Sequence, residues 1–246
     1  MKKLEKELKE YKMLMRSIPA PVFALFVVGV VVMNLLANKG FNITTWLVAD
    51  CGILLSGIAF MTLDVIVKRF GAKASFQVTV VASLINLLMC GVFFLASCIH
   101  GAWGESYVPG YEAIINTALD NTIGGTWYVL LGSTIAFLVS SAVNGVTNVA
   151  IGKVFSKTSF GHFAIRSFVS TMVGQFTDNF TFAMLVSRLF FGWTLRECVI
   201  CSLVGALLEL FMEVFFSPIG YKLVRIWEKE DVGKEYLDYV KASALE

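Results

Sequence analysis

The sequence predicts an all-α integral membrane protein: a bundle of six transmembrane helices whose N and C termini both face the cytoplasm. The first observation is composition, because 57% of the 246 residues are hydrophobic and only 15% are charged. The mean hydropathy is +0.75, and soluble domains carry about 25% charged residues. The second observation is a set of six long apolar stretches, and the third is the uneven distribution of lysine and arginine.

Six stretches are long enough to cross a hydrocarbon core of about 30 Å, which takes about 20 apolar residues in a helix. In chain order they are 18–37, 46–67, 76–99, 127–151, 163–186 and 198–221. They predict one transmembrane domain, 18–221, between a cytoplasmic helical segment, 1–17, and a cytoplasmic tail, 222–246. The alternating apolar pattern of an outer-membrane barrel is absent, so helices must satisfy the backbone hydrogen bonds.

Positive charge is concentrated on one side of this predicted bundle. Sixteen lysines and arginines fall in the terminal segments and in the connections after the second and fourth stretches. Only Lys39, Arg188 and Arg196 fall on the other side, and the long connection 100–121 has none. Because cytoplasmic loops carry the excess of Lys and Arg, both termini are predicted to be cytoplasmic.

Local signals support the ends of these elements. In the segment 1–17, Glu5 and Lys9 lie four residues apart, which favours a charged helix before the first apolar stretch. Pro218 predicts that the last helix stops near its cytoplasmic end, because proline removes a backbone donor. Tryptophans, which anchor helices at membrane interfaces, lie near predicted span ends at Trp46, Trp103, Trp127, Trp193 and Trp227.

The fifth stretch has the length of a span but carries polar side chains in its interior. Those side chains are Arg166, Ser170, Thr171, Gln175, Asp178 and Asn179. In hydrocarbon such groups must face a cavity or a partner, so the stretch is predicted to carry a functional site. Thr171, Gln175, Asp178 and Phe182 repeat at helical spacing and therefore share one face.

Other stretches contribute polar residues at a similar depth, judged from the helical rise of about 1.5 Å per residue. The residues predicted near the membrane midplane are Asn86, Ser140, Ser141, Asn144, Gln175 and Glu209. Two interpretations stay open for the hydroxyls and asparagines among them. They line a binding site, or they hold neighbouring helices together at about 0.6 to 2 kcal/mol each.

The carboxylates are more costly in a membrane and favour function more strongly. Asp178 must be paired, protonated or hydrated. Glu209 and Glu213 lie one turn apart on the last span, where they either pair with Arg166 or serve a ligand or a proton.

Three motifs carry a resemblance to a known family. In TLDVIVKRFGAKAS, 62–75, Asp64 stands seven residues before Gly71, and its place four residues before Lys68 also fits an ordinary ion pair. The pattern R-x3-ST-x2-GQ-x2-DN spans 166–179, and FFSPIGY spans 215–221. Together with the six-span layout, these motifs resemble the queuosine precursor transporter family, also called the vitamin uptake transporter group, over nearly the whole chain.

That resemblance implies a bacterial inner-membrane protein whose fold is distantly similar to the substrate-binding subunits of energy-coupling-factor (ECF) transporters. It also implies uptake of 7-deazaguanine bases, such as queuine, preQ1 or preQ0, for queuosine modification of tRNA. The sequence departs from the family at Glu209, because many members have a lysine near this position of the last helix.

The side-chain chemistry fits such a ligand. The edge of a deazaguanine offers N–H donors and a carbonyl acceptor, which a carboxylate such as Asp178 and an amide such as Gln175 or Asn179 can bind together. The flat ring suits stacking on a phenylalanine of the fifth span. The predicted substrate-binding residues are therefore Asp64, Asn86, Asn144, Arg166, Thr171, Gln175, Asp178, Asn179, Phe182, Glu209 and Glu213.

Other functions are less well supported. We expect no cofactor, metal site or enzymatic activity, because an intramembrane aspartic protease needs two aspartates at one depth, and Asp64 and Asp178 differ in depth.

No P-loop pattern occurs, so uptake is facilitated, proton-linked or driven by a separate ATPase module, and a homodimer is possible. A net charge of +2 gives no case for nucleic-acid binding. The expected partners are a small purine-like substrate and the lipid membrane.

Overall fold

The computed structural model is largely helical and describes residues 2–44, 48–103, 110–125, 127–154 and 160–243. Its helices are α1 (Lys2–Ser17), α2 (Ala20–Leu36), α3 (Ile53–Phe70), α4 (Ala72–Cys98), α5 (Glu112–Ile123), α6 (Trp127–Val154), α7 (Phe160–Phe182), α8 (Arg188–Phe190), α9 (Leu195–Lys229) and α10 (Lys234–Ser243).

Two irregular elements interrupt the helices. A π-helical turn, Ala183–Ser187, continues α7 before the single turn of α8. A short antiparallel hairpin joins α2 to α3 and consists of β1 (Gly40–Asn42) and β2 (Val48–Asp50). Both elements lie at the same end of the bundle and contribute residues to the lining of the larger cavity described below.

The six predicted apolar stretches coincide with α2, α3, α4, α6, α7 with its π-helical turn, and α9. The predicted start of the second stretch at residue 46 was wrong. Trp46 lies outside the described residues, residues 48–50 form β2, and α3 begins only at Ile53. The strand forms there because the chain pairs back onto β1, with the amide of Cys51 donating to the carbonyl of Lys39 at 2.8 Å.

Within the described part of the chain, two helical segments are long and apolar enough to cross a membrane as they stand: α4, and the run Glu112–Asn144. Two bent pairs raise this number to four when each counts as one span. One pair is α1 with α2, which meet at 99°, and the other is formed by the two halves of α9. The six-span count and the cytoplasmic termini therefore stay predictions.

Helix α9 does not stop at Pro218, so that prediction was wrong. The helix continues to Lys229 but bends by 45° between Leu195–Met212 and Val214–Lys229. Proline lacks the N–H that would bond to the carbonyl four residues earlier, and its ring crowds that carbonyl. The bend lies at this position, one turn before the proline, so Pro218 kinks the helix without ending it.

The terminal helices cover one end of the bundle. Helix α1 packs against α10, and their buried residues join those from the ends of α3 and α9. Phe70 is central here, with its ring centroid 5.9 Å from those of Trp227 and Tyr236. Leu14 and Tyr236 are almost completely buried in the same cluster. Helix α1 therefore buries one apolar face against the bundle.

A polar clamp fastens α1 to the start of α4. The ammonium of Lys73 lies 2.8 Å from the carboxylate of Glu10 and 2.9 Å from that of Glu7. Partial burial lowers the pKa of Lys73, but the hydrogen bonds to the two glutamates outweigh it, so the pKa is raised above its ordinary value of 10.5. The ammonium of Lys73 is therefore charged at neutral pH.

Candidate functional site

Two cavities lie beside α7, which packs against both α6 and α9. The larger has a volume of about 470 Å³, and the smaller has room for about 20 Å³. The polar residues of the larger cavity are Asn38, Asn121, Thr122, Tyr128, Asn179, Ser187, Trp193, Cys201, Ser202 and Glu209. Those of the smaller are Asp64, Ser140, Ser141, Asn144, Thr171 and Gln175.

The larger cavity forms where several helix ends meet. The end of α2 and the hairpin form one wall, the start of α6 another, and the end of α7 with its π-helical turn a third. The first half of α9 closes the cavity. This end of the bundle is opposite to the one covered by α1 and α10, since those helices contact the far ends of α3 and α9.

A capping box fixes the start of α9 at this end. The amide of Thr194 donates to the Glu197 carboxylate at 2.7 Å, and the amide of Glu197 donates to the Thr194 hydroxyl at 3.3 Å. The backbone and side-chain hydrogen bonds from Thr194 lower the pKa of Glu197. The carboxylate therefore stays ionised in the first turn, where negative charge complements the helix dipole.

The central polar contact of the larger cavity joins α7 to α9. The side-chain amide of Asn179 donates to the carboxylate of Glu209 at 3.1 Å. Gly205 makes this contact possible, because a Cβ atom there would lie 2.9 Å from the amide nitrogen of Asn179. Both side chains are half-buried, so they are accessible from the cavity and held in place by their neighbours.

Aromatic rings surround this polar pair. Phe182, Tyr128, Phe191 and Trp193 line the larger cavity. Tyr128 is itself fixed by stacking on Phe190, with ring centroids 4.4 Å apart and nearly parallel planes. Flat apolar surfaces beside a few fixed polar groups are typical of sites that bind planar heteroaromatic molecules.

The charge of the larger cavity is also informative. Among the described residues that line it, Glu209 is the one acidic side chain, and there is no lysine or arginine. Such a lining disfavours an anionic ligand and suits a neutral or cationic one that offers hydrogen-bond donors.

The smaller cavity is more deeply buried and more polar for its size. Gln175 is 2% exposed, and neither atom of its amide group has a hydrogen-bond partner among the described residues. The same holds for the carbonyl oxygen of Asn144. Polar atoms buried without a partner cost about 1–3 kcal/mol each, so this cavity has the character of a binding site rather than of a packing defect.

Asp178 lies beside the smaller cavity. Ser140, which lines that cavity, donates to the Asp178 carboxylate at 2.8 Å and so ties α6 to α7. Along α7, Asp178 follows Gln175 by three residues and precedes Asn179 by one. The two cavities are therefore about one helical turn apart along the same helix.

The structure separates the predicted site residues into groups. Asn179, Phe182 and Glu209 line the larger cavity. Asp64, Asn144, Thr171 and Gln175 line the smaller one. Asp178 is not among the described residues that line either cavity, although its hydrogen bond to Ser140 joins it to the second. The side chains of Arg166 and Glu213 lie outside the described residues.

Two predicted residues have structural partners. The amide of Asn86, which is 1% exposed, donates to the Thr134 hydroxyl at 3.3 Å and so contacts α6 rather than a cavity. The carboxylate of Asp64 lies 3.8 Å from Lys68, which is the ion pair that their spacing suggested. Asp64 nevertheless also faces the smaller cavity.

The sequence-based prediction missed part of the larger cavity. The residues it did not include are Asn38, Asn121, Thr122, Tyr128, Ser187, Phe191, Trp193 and Ser202. They lie near helix ends, whereas the prediction was based on polar residues near the membrane midplane. The sequence predicts Trp193 as an interfacial anchor. Its place at a span end was the one feature of the sequence that could have pointed to this end of the bundle.

The described residues contain no group of three or more His, Cys, Asp or Glu side chains placed to hold a metal ion.

Comparison with known families identifies one family that matches the chain. The model of the family described as "putative vitamin uptake transporter" matches residues 50–223, which include the residues of α3, α7 and α9 that line both cavities. Searches of curated proteins and of solved structures found no significant match. The match covers most of the chain, and the protein belongs to this family of membrane transporters.

Proposed function

We propose that this protein imports queuosine precursors, 7-deazaguanine bases such as queuine, preQ1 or preQ0, across the bacterial inner membrane for queuosine modification of tRNA. The observation that carries the proposal is the Asn179–Glu209 pair inside a cavity with aromatic walls. Family membership supports uptake of a small solute. The choice of a deazaguanine rests on the chemistry of the cavity and on the motif at 166–179.

The size of the larger cavity suits a bicyclic base. Its volume of about 470 Å³ lies within the range of about 300–1,000 Å³ that is usual for small-molecule sites. The rings of Phe182, Phe191 and Trp193 offer flat surfaces for such a base.

The polar pair matches the hydrogen-bonding edge of the base. A carboxylate has about four lone-pair sites, so Glu209 can accept from Asn179 and from the N–H groups of a ligand. The carbonyl of the base would then accept from the amide of Asn38 or Asn121, which line the same cavity. An aminomethyl cation, as on preQ1, would gain further from the negative charge of Glu209.

The direction of transport follows from the predicted orientation. We propose six spans with both termini in the cytoplasm, so the end covered by α1 and α10 faces inward. The larger cavity lies at the opposite end and would open to the outside, ready to receive substrate. Asp178 and Gln175 would act one turn deeper along α7, and Asp178→Ala is expected to weaken binding through loss of its contact with Ser140.

Ligand binding to the purified protein tests the substrate class. Queuine, preQ1 and preQ0 should raise the thermal unfolding temperature, because a ligand that binds only the folded state stabilises it by mass action. Guanine should act more weakly, and biotin should have no effect. A shift with biotin, or none with any base, would overturn the assignment.

Substitution of Glu209 tests the binding geometry. Hydrogen bonds to a charged acceptor are worth about 1–2 kcal/mol more than those to a neutral one, so Glu209→Gln should raise Kd about 5- to 30-fold. Glu228→Gln is the matched control, since Glu228 lies on the same helix but pairs with Arg225 on the exposed surface. Equal affinities for the two variants would remove Glu209 from the site.

Uptake into vesicles that contain only this protein tests the mode of transport. Accumulation or exchange of radiolabelled preQ1 without any ATPase would exclude an obligatory ATPase module. Binding without uptake would favour the alternative, a substrate-binding subunit of an ECF-type importer.

A further inference from the structure

We propose that helix α1 lies along the membrane surface as an interfacial anchor and binds anionic phospholipids through one apolar side and one basic side. The apolar side is formed by Leu4, Leu8 and Tyr11, and the basic side by Lys9, Lys12 and Arg16. The proposal rests on α2 crossing the membrane, and it is independent of the substrate proposed above.

The first argument is the direction of α1. It meets α2 at 99°, so a helix α2 that crosses the bilayer leaves α1 nearly parallel to the membrane surface. With 16 residues and a rise of about 1.5 Å per residue, α1 covers about 24 Å of that surface. Arg16 stands four residues before Ala20, the first residue of α2. This end of α1 therefore lies at the level of the lipid headgroups.

The second argument is that three sides of α1 differ in character. Residues three or four apart lie on the same side of a helix. Glu10 and Leu14, which are 6% and 0% exposed, form the side that packs on the bundle. The apolar side and the basic side follow around the helix at intervals of about a third of a turn. A helix that lies on a membrane beside a protein has three matching neighbours, which are protein, acyl chains and headgroups.

The third argument is the exposure of the apolar side. Leu4 is 75% exposed and Leu8 is 50% exposed, and both lie on successive turns of a helix whose position is fixed. Its contacts with α10 and the ion pair between Glu10 and Lys73 hold it in place. Single exposed leucines are common on protein surfaces, but two in a row beside Tyr11 have the composition of a helix that inserts into the interface.

The fourth argument is the charge of the basic side. Lys9, Lys12 and Arg16 are exposed, and Glu5 is the one acidic residue on that side of the described helix. Lys9 lies over the ring of Tyr239, 5.2 Å from its centroid, and so contacts α10. Neither Lys12 nor Arg16 forms an ion pair within the described part of the chain. Because a membrane with anionic lipids has a negative surface, it attracts cations at this level.

A lipid surface suits this helix better than another protein does. The apolar side consists of three residues over two turns, whereas a stable protein interface buries about 800 Å² on each partner. The bilayer also lies beside α1 wherever α2 is inserted, so no separate association step is needed. The charge of the basic side then selects anionic lipids over neutral ones.

Thiol labelling in lipid nanodiscs that hold one protein molecule each tests the position of the apolar side. Leu8→Cys should react with a water-soluble maleimide several-fold more slowly than Glu5→Cys. Both side chains are exposed on the protein itself, so the difference would come from the lipid. Mass spectrometry of the N-terminal peptide separates these labels from those on the five native cysteines.

Titration of phosphatidylglycerol into protein in a neutral detergent, followed by thermal unfolding, tests the basic side. The double variant Lys12→Gln, Arg16→Gln should raise the half-saturating lipid concentration by about fivefold for each residue. Lys234→Gln is the matched control and should respond as the wild type does, because Lys234 is exposed but pairs with Asp231 at 3.3 Å. Phosphatidylcholine and inorganic phosphate should give no saturable shift.

Each outcome has a definite meaning. Equal labelling of Leu8→Cys and Glu5→Cys would overturn the proposal, and so would an unchanged lipid response of the double variant or an equal response to inorganic phosphate. Protection of Leu8→Cys only in discs that hold two protein molecules would overturn it in favour of a second copy of the chain.

Binding of preQ1 separates this proposal from the proposed function. The α1 variants should bind preQ1 as the wild type does, since α1 lies at the opposite end of the bundle from the larger cavity. A wild-type protein that responds to phosphatidylglycerol but binds no base would refute the substrate and leave the anchor standing. Binding of preQ1 with equal labelling at the two cysteines would do the reverse.

Discussion

Gly205→Ala should weaken ligand binding while leaving the protein folded. The added Cβ atom would lie 2.9 Å from the amide nitrogen of Asn179 and 3.5 Å from its Cγ atom. Non-bonded heavy atoms prefer separations of about 3.5 Å, so the amide must move away from α9 by about 0.5 Å. Its hydrogen bond to Glu209, now 3.1 Å, would lengthen beyond the usual range for N–H···O bonds.

The size of the effect follows from the type of bond that is lost. A hydrogen bond to a charged acceptor contributes about 1.5–3 kcal/mol, which corresponds to a decrease in affinity of about 10- to 150-fold if the bond orients Glu209 toward the ligand. Stability should change little, because alanine is a better helix former than glycine by about 1 kcal/mol and this gain offsets the strain.

Isothermal titration of detergent-solubilised protein with preQ1 provides the measurement. Gly91→Ala is the matched control, since Gly91 also lies inside a helix but has open space where a Cβ atom would stand. It should bind with unchanged affinity. If Gly205→Ala also binds as the wild type does, with the same unfolding temperature, then the contact between Asn179 and Glu209 does not shape the site.

Three further predictions concern stability and movement. Lys73→Met should lower the unfolding temperature at neutral pH, and this loss should disappear at high pH. The reason is that the pKa of Lys73 is raised in the folded protein. The wild-type contact with Glu10 therefore stabilises the fold fully below about pH 10, and this stabilisation is lost as the pH rises through the folded pKa. Thermal unfolding of both proteins from pH 7 to 11.5 checks this, and a constant difference would contradict it. Gly57→Ala should destabilise the protein by about 1–3 kcal/mol, because the new Cβ atom would lie 2.8 Å from the ring of Phe216. Chemical denaturation measures the change in the free energy of unfolding, and an unchanged value would show that the Phe216 ring moves aside without cost. Pro218→Ala should restore the missing hydrogen bond in α9 and raise the unfolding temperature, while initial uptake rates in vesicles should fall if the bend takes part in transport.

The helices were predictable because each depends mainly on local composition. The run of apolar residues in α4 and the charged pattern in α1 can be recognised without knowing their neighbours. The polar face of α7 was also visible, since Thr171 and Gln175 repeat at helical spacing, and the structure buries both almost completely. A polar residue in an apolar helix has few alternatives to burial against other helices, so periodicity indicates its position well.

The division into two cavities could not be predicted in the same way. Asn38, Trp193 and Ser202 come from three different parts of the chain and meet where the helix ends, the hairpin and the π-helical turn lie together. Depth along a helix was estimated from the residue rise alone, and this placed Gln175 and Glu209 in one layer. The structure places Gln175 at the smaller cavity and Glu209 against Asn179, one turn farther along α7, where Gly205 leaves room for the contact.

The same separation explains why one polar helix needs so many different side chains. A single binding site would require few of them, and the remaining buried polar groups would only reduce stability. The two cavities on successive turns take different sets: Asn179 and Phe182 line the larger cavity, and Thr171 and Gln175 line the smaller. Asp178 lies between the sets and is bonded to α6. Because α7 lines both cavities, a movement of this helix would change both linings together, and the hydrogen bond from Ser140 to Asp178 lies on the turn between them.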